Sequence, residues 1–88
     1  MGWLNMAAAE IAGATITQLT PNCGKKLMFI QGTTAANNDF ITVTGLTKVE
    51  GCVLRATDGT LGTMTFATNV ITITNGSTLT WSGLAWGY

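Results

Sequence analysis

Histidine is absent from this 88-residue chain, and charge is scarce: four Lys or Arg and four Asp or Glu make 9% of the residues. Ordinary soluble domains carry about 25%. Without an imidazole, a serine, threonine or cysteine nucleophile lacks its usual general base, and a catalytic triad cannot be composed. The carboxylates Glu10, Asp39, Glu50 and Asp58 fall at predicted loops or strand ends, where solvated turn roles are favoured over a glycosidase-like pair. The basic residues Lys25, Lys26, Lys48 and Arg55 are too few to neutralise a phosphate backbone, so nucleic acid is not an expected partner. No Gly-rich phosphate loop occurs, and with neither histidine nor a Cys-X-X-Cys pair no metal site is expected. The chain is therefore expected not to be an enzyme, with no catalytic, cofactor-binding or metal-ligating residue.

Long apolar runs are missing too. Crossing a bilayer takes roughly 18 to 20 uninterrupted apolar residues, and the longest weakly polar stretch, Met6 to Ile16, is interrupted by Glu10. No Lys or Arg precedes that stretch as a signal peptide would require, so the leader is expected to be retained. Cysteine is sparse: Cys23 and Cys52 allow one disulfide, far below the density of a disulfide-built scaffold. Both are read first as small, half-buried apolar side chains, with a bridge as the lesser alternative.

What the chain does have is 47% hydrophobic residues, a net charge of zero and 17 threonines. One domain of this length can bury roughly 60–65% of the surface of its unfolded chain. Neutral and apolar, it has little charge repulsion to keep copies apart, and it is expected in an assembly. Threonine on the outer face of a strand keeps β-propensity while offering a hydroxyl to neighbouring strands or subunits.

The pattern is all-β: short Thr-rich apolar runs separated by Gly, Asn and Asp, expected to form a small antiparallel β-sandwich or barrel of about six to seven strands built from hairpins. Residues 1–9, MGWLNMAAA, read as an N-terminal apolar arm, and residues 10–88 as the domain. Glu10 to Thr20 is predicted as a strand kinked at Gly13, and Pro21 to Gly24 as a turn. Lys25 to Gln31 is almost continuously apolar, a candidate central strand covered on both faces. Gly32 to Asp39 is a polar loop suited to a solvated crossing. Phe40 to Thr44 alternates with Ile41 and Val43 inward, and Leu46 and Val49 plug the loop after it. Cys52 to Thr57 points Cys52, Leu54 and Ala56 inward, the Asp58-Gly59 turn follows, and Met64 and Phe66 are predicted inside. The strongest local signal is Asn69 to Tyr88, in which Asn75-Gly76 suits a two-residue hairpin turn between two β-rich runs.

Three further features bear on function. Trp3, Trp81 and Trp86 could stack on sugars, but their Leu, Ala and Gly neighbours favour a core or interface role. The Asn75-Gly76-Ser77 sequon is sufficiently explained by the turn. Past that turn, Leu79 and Trp81 share one parity while Leu84, Trp86 and Tyr88 share the other. Either a bulge at Gly83 returns both sets to one face, or a straight strand presents the last set outward; the second is preferred. The expected interface residues are thus Trp3, Leu4 and Met6 in the arm with Leu84, Trp86 and Tyr88 at the end.

The segments FITVTGLTKVEGCVLRATDGT and VITITNGSTLTWSGLAWG resemble small all-β phage and virus structural proteins, Thr/Gly/Ala-rich and ending in alternating apolar residues. That resemblance implies a head decoration or cement protein of the virion, which bridges major capsid subunits and contacts copies of itself. A subunit of an extracellular filament or surface layer, assembled by strand exchange, is the alternative, and a small carbohydrate-binding module the third reading. The apolar leader with Trp3 departs from the family pattern.

Overall fold

The computed structural model describes residues 9–11, 13–21, 24–75 and 78–88. Among them are seven strands: β1 (Thr15–Gln18), β2 (Lys26–Thr34), β3 (Asp39–Thr42), β4 (Val49–Ala56), β5 (Met64–Ala67), β6 (Val70–Ile73) and β7 (Leu79–Gly87); residues 32–34 and 49–51, expected in loops, extend β2 and β4. They form two antiparallel sheets, ordered β1-β2-β7-β4 and β3-β6-β5. The fold is all-β, with no helix among the described residues.

The two longest strands pair with each other. β2 and β7 have nine residues each and pair over their whole span, from Lys26 opposite Gly87 to Thr34 opposite Leu79. β6 has only four residues and can match β3 and β5, which are equally short. The expected C-terminal hairpin does not form. β6 and β7 lie in different sheets, and Asn75 starts a connection between them, with Gly76 and Ser77 outside the described residues. The Asn75 amide ties this connection down by accepting from Thr63 N–H at 3.0 Å and donating to the Leu61 carbonyl at 3.2 Å.

Consecutive strands do pair at β1–β2 and at β5–β6, where Thr68 and Asn69 alone separate Ala67 from its partner Val70. Asp58-Gly59 also reverses the chain tightly. Gly59 N–H bonds the Ala56 carbonyl at 2.9 Å and Arg55 bridges Leu61, but the chain then crosses to the other sheet.

The expected first strand is likewise divided. Glu10 bridges Phe40 in parallel and Ile11 N–H bonds the Phe40 carbonyl at 2.9 Å, so this segment flanks β3 in the three-stranded sheet. Gly13, at φ 72°, turns the chain toward β1 in the four-stranded sheet. The turn resets parity, so Ile11 and Ile16, of opposite phase in a continuous strand, both pack on the core.

The core lies between the sheets. Ile30, Leu54 and Trp81 from one sheet meet Ile41, Ile71 and Ile73 from the other, all essentially inaccessible. Full burial of each aliphatic side chain contributes about 1.5–3 kcal/mol. Val43, Leu46 and Val49 close one end of the cluster as buried plugs. Phe66 corrects the sequence reading. It has the inward parity of its partner Ile71, yet β5 is an edge strand flanked on one side only, and the ring remains 40% exposed.

Candidate functional site

The inward phase of β7 is Trp81, Gly83, Ala85 and Gly87, and its outward phase is Ser82, Leu84, Trp86 and Tyr88. Pairing with β2 and β4 runs through Gly83 without a break, so the strand has no bulge there. A side chain at Gly83 would collide with the Val53 carbonyl, and its absence lets β4 lie flush along β7. The irregularity sits on β4 instead, between Val49 and Gly51.

Register then stacks the outward residues of four strands into rows. One row runs Thr17, Phe29, Leu84, Val53. The next holds Leu27 and Trp86, extended by Leu19, whose N–H bonds the Leu27 carbonyl at 2.8 Å. Trp86 covers Gly51, where a Cβ would collide with the indole ring. Leu19 and Val53 are each 52% exposed, Leu84 38%, Trp86 40% and Tyr88 45%, with Leu27 and Phe29 half-buried between them. Contiguous apolar surface on this scale marks an interaction site more often than chance.

Polar rows bound the patch on both sides. On one side lie Thr15, Gln31, Ser82 and Arg55, followed by Thr33 and Thr80, whose hydroxyls meet at 3.1 Å across β2 and β7. On the other side Lys25 Nζ stands 4.9 Å from the Tyr88 ring centre and 2.6 Å from Glu50 Oε1. Tyr88 is fixed by its main chain: its N–H bonds the Lys48 carbonyl at 3.1 Å, and its oxygen accepts from Thr47 and Lys48.

Of the residues singled out from the sequence, Leu84, Trp86 and Tyr88 come together on this face. Trp3, Leu4 and Met6 lie outside the described residues. Leu19, Leu27, Phe29 and Val53 were missed. The signal for two of them was the apolar run Leu27 to Ile30: one phase, Met28 and Ile30, fills the core, and the other, Leu27 and Phe29, is left on the outer face.

Other candidates resolve differently. Trp81 is wholly buried and donates its indole N–H to Thr34 Oγ1 at 3.0 Å, so the three tryptophans do not make a common surface platform. Asp39 was expected in a solvated loop; it is buried, opening β3. Its Oδ2 accepts from Ala35 N–H at 2.8 Å and Ala36 N–H at 3.0 Å, and its Oδ1 from Ala9 N–H at 3.1 Å. Burial pushes this carboxyl up, but the N–H groups of Ala35, Ala9 and Ala36 more than offset it and hold it below its ordinary value. These three donors make Asp39 a structural clamp between the chain's first described residues and the β2–β3 connection. Asp58 caps its own turn through Thr60 N–H at 2.9 Å, which lowers its pKa.

Cys52 is a free thiol packed against the core edge, and burial pushes its pKa up to about 12. A thiol so held is a poor nucleophile. Cys23 lies outside the described residues. Among the described residues no three His, Cys, Asp or Glu side chains are grouped to hold a metal ion, and no helix is long and apolar enough to cross a membrane. No protein-family model, curated protein or solved structure matches the chain.

Proposed function

We propose that this chain is a non-enzymatic structural subunit of a large assembly, of the capsid decoration or cement type. It bridges neighbouring lattice subunits through its apolar termini and Thr-rich strands. The observation that carries this reading is the outer face of the four-stranded sheet, where Leu19, Leu27, Phe29, Val53, Leu84 and Trp86 form one apolar surface. A face with almost no charge can be dehydrated at low cost, and many weak copies of such a contact add up across a lattice. The Thr33–Thr80 hydroxyl pair beside it is polar but uncharged, and suits the same use.

Electron microscopy of the source material tests the proposal. Density for this fold on an icosahedral shell, lost when residues 1–9 are deleted or Leu84 becomes Glu, is the expected result. The chain found only free in solution would overturn it. Normal decoration by the truncated chain would remove the arm from the mechanism.

One observation favours the alternative of a filament or surface layer. β5 is an edge strand whose Thr65, Phe66 and Ala67 are exposed, which leaves a sheet edge open to strand addition by a neighbour's arm. Filaments instead of shells in the same micrographs would select this reading.

A further inference from the structure

We propose that the outer face of the four-stranded sheet pairs with the same face of a second copy, about a twofold axis running across the strands between the Phe29–Leu84–Val53 row and the Leu27–Trp86 row. This rests on reading that face as an assembly surface, and it names the occupant.

Area is the first argument. The exposures of Leu19, Val53, Leu84, Trp86 and Tyr88, with the half-buried Leu27 and Phe29, leave apolar surface on the order of 500 Å² open. Two copies face to face would remove about 1,000 Å² from water, the level at which specific interfaces begin.

The arrangement of rows is the second argument. Two apolar rows lie between polar flanks, with Thr15, Gln31, Ser82 and Arg55 on one side and, beyond the Tyr88 ring, Lys25 and Glu50 on the other. A twofold axis across the strands exchanges the two apolar rows, laying Trp86 over the second copy's Leu84 and Phe29 over its Leu27. Val53 then meets the strip around Gly51, which has no side chain of its own. The same operation lays one polar flank on the other, so no charge is buried against the apolar rows. Sheets packed this way keep their strands within about 30° of each other, compatible with β7 crossing its own copy nearly antiparallel.

Charge sets little of this contact. Arg55 comes to face the flank that holds Glu50, but Glu50 already pairs with Lys25 at 2.6 Å, and Lys48 stands beside Tyr88. With zero net charge, two copies meet without long-range repulsion, and the association should respond weakly to salt.

Sedimentation equilibrium of the purified full chain across the micromolar range tests the pairing. The expected result is a monomer–dimer equilibrium that goes no further and whose dissociation constant changes less than about twofold with added salt. Leu84→Glu and Val53→Lys, each checked for retained β-structure by circular dichroism, should weaken it at least about tenfold. Phe66→Lys, exposed on the edge of the other sheet, should leave it unchanged. A wild-type monomer throughout the range, or a dimer indifferent to both Leu84→Glu and Val53→Lys, overturns the pairing. If that monomer still binds the source particles and Leu84→Glu abolishes the binding, the occupant is a lattice protein; the pairing falls and the functional reading stands. A wild-type chain that neither pairs nor binds particles removes both.

Discussion

The indole N–H of Trp81 donates to the hydroxyl of Thr34 at 3.0 Å, both residues being buried in the four-stranded sheet, where β7 pairs with β2. Thr34 Oγ1 in turn donates to the Leu79 carbonyl at 3.3 Å, two register positions from Trp81. The largest fully buried side chain is thereby oriented by a threonine hydroxyl. Thr34→Val keeps the shape and removes the acceptor, leaving a buried N–H unpaired. A loss of about 1–3 kcal/mol is expected, read from the denaturant midpoint, with Thr34→Ser losing much less.

Asp39 makes stability depend on acid. Its folded pKa lies below the ordinary value of 3.8, so its contribution is fully present above that value and is lost as pH falls through the folded one. Unfolding free energy measured from neutral pH down should decline below about pH 4. Asp39→Asn should flatten that decline. Asp39→Ala, which strips three N–H groups of their acceptor, should cost on the order of 2–4 kcal/mol at neutral pH.

Thr68 holds φ at 52°, a left-handed conformation that a β-branched residue adopts only under strain. It is kept there because its carbonyl accepts from Val49 N–H at 2.8 Å and the neighbouring Asn69 carbonyl accepts from Val43 N–H at 2.8 Å, which ties the β5–β6 turn to the other strands. Thr68→Gly or Thr68→Asn preserves those main-chain bonds and relieves the strain. Either should raise stability by about 0.5–1 kcal/mol, seen as a higher melting temperature.

Cys52 has the opposite pH signature from Asp39. Its thiol is raised from 9.0 to about 12, so the unfolded chain ionises first, and the contribution present below pH 9 is lost as pH rises toward 12. Unfolding midpoints should fall across that alkaline window in the wild type and fall less in Cys52→Ala. In the folded protein Cys52 should also react with iodoacetamide far more slowly than an unperturbed thiol at the same pH.

The C-terminal segment shows how far local chemistry reaches. Alternation over Leu79 to Tyr88 identifies a strand and separates Trp81 and Ala85 from Leu84, Trp86 and Tyr88, and the structure keeps that separation. Asn75-Gly76 identifies a change of direction but not the partners of the strands on either side. The Lys25 to Gln31 run reads as a central strand covered on both faces; β2 does lie between β1 and β7, but only its inner face is covered. That its second phase stays open, and so enlarges the apolar face, depends on what stands beside it in the folded sheet.

By itself, then, the sequence determined the strands and which residues of each point the same way, because β-propensity and period-two alternation act within a few residues of one another. It also determined the neutrality of the surface and the scarcity of groups for acid–base chemistry. Only the tertiary structure decided which strands pair, because the ladders join segments far apart in sequence, β2 with β7 and β3 with β6, and no pattern within a few residues encodes that choice. It alone decided that Asp39 is buried, because the donors come from Ala9, Ala35 and Ala36, and that Leu19, Phe29, Val53, Leu84 and Trp86 share one face, because register across four strands places them there.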